Sequence, residues 1–306
     1  MPQRSHTEAR RRLQDLPELR GGRSQLRPAA GKLIRKRATV TALAVALLCH
    51  AGSDAGAADI DALYQSDAIV TGTGEANRAI GYRECLREVL VKLSGDPTIT
   101  DAPRFAAAEA KAGSFVSTFS YRDRLEGIPI HDEQGTHDRP HDLACRYQPA
   151  TLDPLLTELG HKPWLSPRPA IAVWLAVEDQ KRRFVLTRNG SESPYMADSL
   201  EAAAEPLALS TVLPDAATAT ARISALDTLP QADPAELFSP VTQTDGNARL
   251  IGTLVWSDAA RGWIAQWQMD AGGKRYRWQL SGVSFDDAFR NAMRGAARIL
   301  SGNGAP

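Results

Sequence analysis

The clearest pattern of apolar and polar positions in the first half of the chain lies between residues 64 and 97. Apolar and polar side chains alternate over residues 64–71, which predicts a strand. Apolar residues then recur every three or four positions over residues 75–94, which predicts an amphipathic helix. Gly95 and Pro97 follow, as is typical just after a helix ends. We therefore expect a strand, a tight turn at residues 72–74 and a long helix.

The other periodic segments of the first half predict a small sheet and two more helices. Side chains alternate over residues 115–125 and 142–147, as in two strands joined by a long polar connection. Helical spacing of apolar residues occurs over residues 102–112 and 149–160. Three prolines follow by residue 169 and mark a change of structure, because each restricts its own φ and the residue before it.

The second half begins with an apolar run and ends in an antiparallel meander. Residues 170–177 are almost all apolar, as in a strand buried on both faces. The further expected elements are a return strand at 183–186, a helix at 194–205, strands at 207–213, 249–256, 263–269 and 276–280, and a helix beginning near Phe285. The pattern predicts an α+β fold of two small domains, residues 59–164 and 165–303, the second ending in the meander closed by the C-terminal helix.

The first 58 residues have the composition of an export signal. An apolar run of about a dozen residues, 38–49, follows basic residues at 32–37 and precedes small residues at 52–58 that suit a cleavage site. The run is shorter than the ~20 residues that a membrane span needs. We assign residues 32–58 to a signal peptide and residues 1–31 to an atypical N-terminal extension, which is either untranslated or a cytosolic tail. The mature protein is then periplasmic or, if the signal stays uncleaved, anchored in the inner membrane.

The charge of the predicted mature chain excludes some partners. The sequence has 36 basic and 36 acidic residues, of which the first 58 residues hold 11 and 4, so residues 59–306 hold 25 and 32. A formal charge of −7 gives no long-range attraction to nucleic-acid phosphates or anionic lipids. We expect no nucleic acid as a partner and no transmembrane span after cleavage.

Two cysteines remain in the predicted mature chain. Cys85 lies on the apolar face of the long helix and Cys145 on the apolar face of a strand, so both are expected to point inward. In an oxidising compartment such a pair can form a disulfide. Two buried free thiols in a shared core are the alternative.

A histidine-rich stretch is the strongest candidate for a metal site. Three of the six histidines lie close together among several carboxylates. Imidazole and carboxylate groups at this density can bind zinc or nickel, and the candidate ligands are His131, His137, Asp138 and His141. Pro140 prevents His137 and His141 from sharing a regular helical turn. A solvated hairpin tip without a metal is the alternative.

Aromatic residues alternate along the meander. Trp263, Trp267 and Trp278 fall on positions that place several of them on one face of the sheet. If that face is exposed, it is a stacking platform for a glycan or a peptide. If the closing helix packs on it, the same residues belong to the core.

Motifs for catalysis and cofactor binding are missing. The chain has no Gly-x-Ser-x-Gly, Ser-x-x-Lys, His-Glu-x-x-His or Cys-x-x-Cys pattern. Gly72 and Gly74 precede a helix as in a dinucleotide-binding turn, but Asn77 occupies the position of the third glycine. We expect an ordinary tight turn there, no cofactor, and no catalytic residue, so an enzyme is the less favoured class.

The long helix and the residues after it resemble a known family. Residues 75–97, ending in Leu93-Ser94-Gly95-Asp96-Pro97, resemble the signature of domain of unknown function 2066, a family of exported proteobacterial proteins. Further matching positions are Phe119-Ser120-Tyr121, Leu159-Gly160, Val173-Trp174-Leu175 and Leu250-Ile251-Gly252. The resemblance implies an envelope location, and it brings no established activity or catalytic residue.

Three classes of function are compatible with these features. The favoured hypothesis is a non-enzymatic periplasmic protein that binds an envelope protein partner in assembly or maintenance. The second is a periplasmic ligand- or metal-binding module that uses the histidine-rich stretch or the tryptophans. The third is a hydrolase with an unrecognised carboxylate site.

Overall fold

The computed structural model describes residues 60–128, 138–180, 182–220 and 248–306. The predicted extension and signal peptide, residues 1–58, lie outside these ranges. The described elements of the N-terminal half are helices α1 (Ile60–Leu63), α2 (Glu75–Ser94), α3 (Phe105–Glu109) and α4 (Pro149–Glu158), and strands β1 (Gln65–Thr71), β2 (Val116–Asp123) and β3 (Pro140–Tyr147).

Helix α2 packs on a three-stranded antiparallel sheet. The strand order is β1-β3-β2, so β3 is central and β1 and β2 are edges. The buried residues between helix and sheet include Leu86, Val89, Leu90 and Leu93 of α2 and Ala68, Val70 and Leu143 of the strands. Gly81 permits this close approach, because a Cβ there would lie 2.5 Å from Leu143 and 2.6 Å from Val70.

The C-terminal half is built on a mixed sheet. Its described elements are strands β4 (Ile171–Asp179), β5 (Arg182–Val185), β6 (Thr211–Val212), β7 (Ala248–Ser257), β8 (Gly262–Ala271) and β9 (Lys274–Val283), and helices α5 (Pro194–Ala204), α6 (Ala216–Thr220) and α7 (Phe285–Leu300). The strand order is β5-β4-β7-β8-β9, and β6 pairs with β4. Strand β4 runs parallel to β6 and β7, whereas the other neighbours are antiparallel.

Helix α7 closes the β7-β8-β9 meander. It begins at Ser284, whose hydroxyl accepts a hydrogen bond from the backbone N–H of Asp287 at 3.1 Å, as expected of an N-cap. Its apolar face is buried on the sheet, with Phe289 6.4 Å from the Trp267 ring between centroids. Gly252 of β7 lies under that ring, where a side chain would collide with it.

The C-terminal end of α2 joins the two halves of the chain. The last carbonyl groups of a helix have no partner within the helix, and here residues from the following segment donate to them. The backbone N–H of Trp164 donates to the Leu93 carbonyl at 2.6 Å, and the Arg168 guanidinium donates to the Lys92 carbonyl at 2.8 Å. Arg168 also stacks on Trp164, 4.2 Å from the centroid of its ring.

Residues at the end of the chain complete this junction. The Asn303 amide donates to the Ser94 carbonyl at 2.7 Å. Arg298 of α7 forms an ion pair with Asp96 at 3.1 Å, and Asp96 is only 5% exposed. The same carboxylate accepts hydrogen bonds from the N–H and hydroxyl of Thr98 at 2.9 and 2.8 Å. Asp96 therefore connects the residues after α2 to the last turn of α7.

The two cysteines lie in the core of the N-terminal half. Cys85 of α2 and Cys145 of β3 are fully buried, and both are free thiols in the structure. The hydrogen bond with Cys145, together with burial, raises the pKa of the Cys85 thiol. Both side chains point inward as the sequence pattern predicts, and a disulfide in an oxidising compartment stays a prediction.

The α+β class and the final meander closed by a helix are confirmed. Two segments differ from the sequence prediction. Residues 102–112 are α-helical only in α3, which 3₁₀ turns at Pro97–Asp101 and Ala112–Ser114 flank. Residues 207–213 pair as a strand only at β6. The start of the predicted strand is not extended, because Leu207 ends a 3₁₀ turn and Ala208 has a left-handed φ of 52°. The domain boundary near residue 165 stays a prediction.

Within residues 60–128, 138–180, 182–220 and 248–306, no helix combines the length and the apolar character that crossing a membrane requires.

Replacing Asp96 with alanine tests the contribution of the junction to stability. The change removes a buried acceptor for Arg298 and Thr98, so we expect the free energy of unfolding to fall by about 3 kcal/mol. Urea denaturation of residues 59–306, followed by tryptophan fluorescence, measures the change. Arg290→Ala is the control and should have little effect, because Arg290 pairs with Asp287 on an exposed face of α7. Equal losses in the two variants would contradict a special role of Asp96.

The state of the cysteines can be measured by thiol titration of residues 59–306, which contain only Cys85 and Cys145. We expect neither thiol to react with a colorimetric reagent at pH 8 in the native protein, because both are buried and the pKa of Cys85 is raised. Both should react in concentrated guanidinium chloride. A Ser120→Cys variant, exposed on β2, should react at once and serves as the control. If no thiol reacts in guanidinium chloride, Cys85 and Cys145 form a disulfide.

Candidate functional site

Strand β2 is an edge of the N-terminal sheet, and its side chains are largely uncovered. Four consecutive residues, 117–120, are exposed. Phe119 has 45% of its surface exposed, and Leu125 and Ile128, which follow the strand, are exposed as well. Single exposed apolar residues are normal, whereas several within one short segment are typical of an interaction surface.

Four rings form a row beside this edge, which we call the aromatic row. It consists of Tyr82 from α2, Phe119 and Tyr121 from β2, and His141 from β3. Successive ring centroids are 5.6, 5.8 and 6.0 Å apart, and each pair meets edge to face. Aromatic pairs at such distances attract each other by about 0.5–1.5 kcal/mol beyond their burial. The row therefore holds Phe119 in a defined orientation although its ring is half-exposed.

A groove lies next to the aromatic row, between α2 and residues 109–114. Its volume is about 340 Å³, and the residues that line it include Glu75, Arg78, Tyr82, Arg83, Glu109 and Lys111. The row and the groove share Tyr82. They also share Arg78, whose guanidinium lies over the Phe119 ring, 5.4 Å from its centroid. A cation in that position is attracted to the face of the ring.

The groove is basic. The lining contains two acidic side chains, Glu75 and Glu109, and Glu109 forms an ion pair with Arg87. Arg78, Arg83 and Lys111 have no carboxylate partner among the described residues. The lining therefore has three basic side chains, Arg78, Arg83 and Lys111, against Glu75 and the paired Glu109. This excess of positive charge attracts an acidic group.

The backbone of β2 has hydrogen-bonding groups that face away from the sheet. The N–H of Arg124, directly after the strand, donates to the Pro140 carbonyl of β3 at 3.1 Å. Hydrogen-bonded and non-hydrogen-bonded pairs alternate in antiparallel strands, and the register is continuous from residue 118 to residue 123. Phe119 and Tyr121 therefore lie in non-hydrogen-bonded pairs, with their N–H and C=O groups directed outward. Among the described strands, none pairs with β2 on that side.

Two titratable side chains of the aromatic row, His141 and Tyr82, have defined surroundings. Nδ1 of His141 donates to the backbone carbonyl of Arg139 at 2.8 Å, which leaves Nε2 as an acceptor in the neutral ring. Burial raises the pKa of Tyr82. His141 also meets the Tyr121 ring edge to face, with 6.0 Å between the ring centroids.

Two of the four predicted metal ligands, Asp138 and His141, lie within the described residues. His131 and His137 lie outside the described residues. Asp138 packs against Gly72, whose left-handed φ of 74° and missing side chain make room for the carboxylate. His141 belongs to the aromatic row. The parts of the chain that the structure describes contain no group of three or more His, Cys, Asp or Glu side chains that could hold a metal ion, and the metal site stays a prediction.

The tryptophans of the meander do not form an exposed aromatic surface. Trp267 is 1% exposed and Trp263 is also buried. Trp278 is half-buried under α7, where its Nε1–H donates to Asn291 at 3.1 Å. Gly295 of α7 leaves space for this ring, since a Cβ there would lie 2.8 Å from it. The closing helix covers the face on which these rings lie, and they belong to the core.

The aromatic row and the groove were not singled out from the sequence. Alternation places Phe119 and Tyr121 on the inward face of a strand, and helical spacing places Tyr82 on the inward face of α2. Neither pattern shows that α2 lies over β1 and β3 and leaves the inner face of β2 partly open. The available signal was the pair of rings at positions 119 and 121 in a strand that also contains several small polar residues.

Comparison with known proteins gives information on the N-terminal half. A family model described as a domain of unknown function, DUF8605, matches residues 57–165, about a third of the chain. No match to domain of unknown function 2066 is found, so the family suggested by the helix signature is wrong. No curated protein and no solved structure gives a significant match. The matched residues contain α1–α4 and β1–β3, and with them the aromatic row and the groove; residues 57–165 are thus similar to a domain to which no function is attached.

Proposed function

We propose that this chain is an exported protein of the bacterial cell envelope that binds a protein partner and performs no catalysis itself. The observation that carries the proposal is the edge of β2. Phe119 and Tyr121 combine partly exposed rings with outward-facing backbone groups. A protein that covers them buries the rings and forms hydrogen bonds with the backbone N–H and C=O groups. The neighbouring groove adds basic side chains that give the contact selectivity.

Export is supported by the sequence of the leader. Residues 32–58 combine basic residues, an apolar run and small residues in the order of a cleaved signal peptide. The protein is then periplasmic, and the alternative is an inner-membrane protein anchored through an uncleaved signal. In both locations the β2 edge can meet other envelope proteins. The acidic charge of residues 59–306 disfavours nucleic acid and anionic lipid as partners.

Photocrosslinking in growing cells tests the proposed contact. A photoreactive amino acid replaces Ser120, which is exposed at the centre of β2. We expect it to crosslink reproducibly to one envelope protein, which mass spectrometry of the adduct identifies. Adding Phe119→Ala to the same chain should reduce the crosslink about tenfold, because loss of a central aromatic contact costs about 1–2 kcal/mol.

The control places the same photoreactive group at Tyr195 in the C-terminal half. Tyr195 is 77% exposed and is therefore at least as accessible as Ser120 to any passing protein. Crosslinks of equal strength from both positions, or none from position 120, would contradict a specific contact at β2.

Cell fractionation and intact-mass measurement test the export step. The full chain with a C-terminal tag should appear in the periplasm with its N-terminus at about residue 59, and deletion of residues 32–58 should retain it in the cytoplasm. A full-length species in the inner membrane would support the uncleaved anchor. A full-length species in the cytoplasm would overturn export.

A further inference from the structure

We propose that the partner binds by strand addition: an extended segment with at least one acidic side chain pairs with β2 and becomes the fourth strand of the N-terminal sheet. The inference rests on the proposed function and specifies the form and the charge of the partner segment. It follows from the backbone of β2, the side chains at its centre and the charge of the groove.

The backbone of β2 is suited to accept a strand. The N–H and C=O groups of Phe119 and Tyr121 face outward, and the register on the β3 side is regular over the same residues. An extended segment can therefore form main-chain hydrogen bonds along the centre of the strand, as in β-augmentation. The irregular part of the β2–β3 pairing lies between Val116 and Thr118, at the start of the strand.

The centre of β2 lacks the features that usually protect an edge. Natural edge strands are blocked by proline, by charged side chains or by a bulge at the centre of the strand. Residues 119–121 read Phe-Ser-Tyr and contain none of these. The charged residues Arg122 and Asp123 lie at the end of the strand, and Arg122 is bound to Asp142 of β3 at 2.7 Å. The open part of the edge is thus confined to the residues of the aromatic row.

The charge of the groove selects an acidic segment. Residues of an added strand that lie beside Phe119 and Tyr121 project to the same side of the sheet as these rings. On that side lie Arg78, Arg83 and Lys111, which have no carboxylate partner among the described residues. A carboxylate of the incoming segment can pair with them, and an apolar side chain two positions away can cover Phe119.

A second copy of this chain is the less favourable occupant. Antiparallel pairing of two β2 strands into one continuous sheet places both α2 helices on the same face of that sheet. The two basic grooves would then lie near each other, and like charges across an interface are unfavourable. A segment of opposite charge has no such cost.

Selection from an mRNA-displayed library of random decapeptides tests the proposal. The full chain is expressed with its own leader, and the form that the cells produce after any cleavage is purified. We expect enrichment of peptides that alternate apolar and polar residues and contain Asp or Glu. Arg83→Glu should weaken their binding at least tenfold. Arg146→Glu is the matched control, because Arg146 is exposed on β3 and faces away from α2, and it should change binding less than twofold.

Amide hydrogen exchange by NMR separates strand addition from side-chain docking. At a peptide concentration of about 100 times Kd, the amides of Phe119 and Tyr121 should exchange about 100-fold more slowly than in the free protein. The amides of Ser120 and Arg122 face β3 and should change little. Binding without protection of Phe119 and Tyr121 would overturn strand addition.

The remaining outcomes are also decisive. The proposal would be overturned if the unchanged protein enriched no more peptides than the Arg83→Glu variant does. Enrichment of basic peptides would also overturn it. Protection of Phe119 and Tyr121 that increases with protein concentration, without peptide, would assign β2 to a second copy instead. A partner crosslinked from position 120 in cells, combined with failure of the selection, would leave the proposed function intact and reject strand addition alone.

Discussion

The end of helix α2 is the constraint on which the arrangement of the two halves depends. Its last carbonyl groups must be satisfied, and the donors come from Trp164, Arg168 and Asn303, between 71 and 209 residues away along the chain. Gly95 ends the helix with a left-handed φ of 68° and lies against Trp164 and Ser301 without room for a side chain. The later segments therefore pack where Gly95 ends the helix. Helix α2 packs mainly on β1 and β3, and it contacts β2 through the Tyr82 and Phe119 rings.

Local sequence signals were sufficient for the elements whose boundaries depend on the chain itself. Helix α2 ends at Ser94 as expected, because a glycine and a proline stop it regardless of what packs against them. The meander follows from alternation and glycine-containing turns. The parallel pairing of β4 with β7 had no comparable signal, because the two strands are about 70 residues apart and neither contains a residue that specifies its neighbour. The stretch that suggested the wrong family, residues 75–97, ends at the junction, where packing restricts which residues fit.

The difference between a buried and an exposed aromatic group was not readable from periodicity. Trp267 and Phe119 both alternate with polar neighbours on a strand, and the sequence favours burial for both. Trp267 is covered because α7 lies on its sheet, whereas Phe119 extends past the side of α2. Helix packing in the tertiary structure decides between core and surface. The candidate site could therefore be identified only after the position of α2 was known.

The physical character of the β2 edge also limits what its partner can be. Main-chain hydrogen bonds along a strand are nearly independent of sequence, so they supply affinity without selectivity. An unprotected edge in a crowded cell compartment would accept many extended segments if nothing discriminated among them. The side chains that face the added strand supply that discrimination, because Arg78 and Arg83 favour a carboxylate and oppose a basic residue. The Arg78 guanidinium also lies over the Phe119 ring. This one contact orients both the positive charge that favours an acidic segment and the ring that the segment covers.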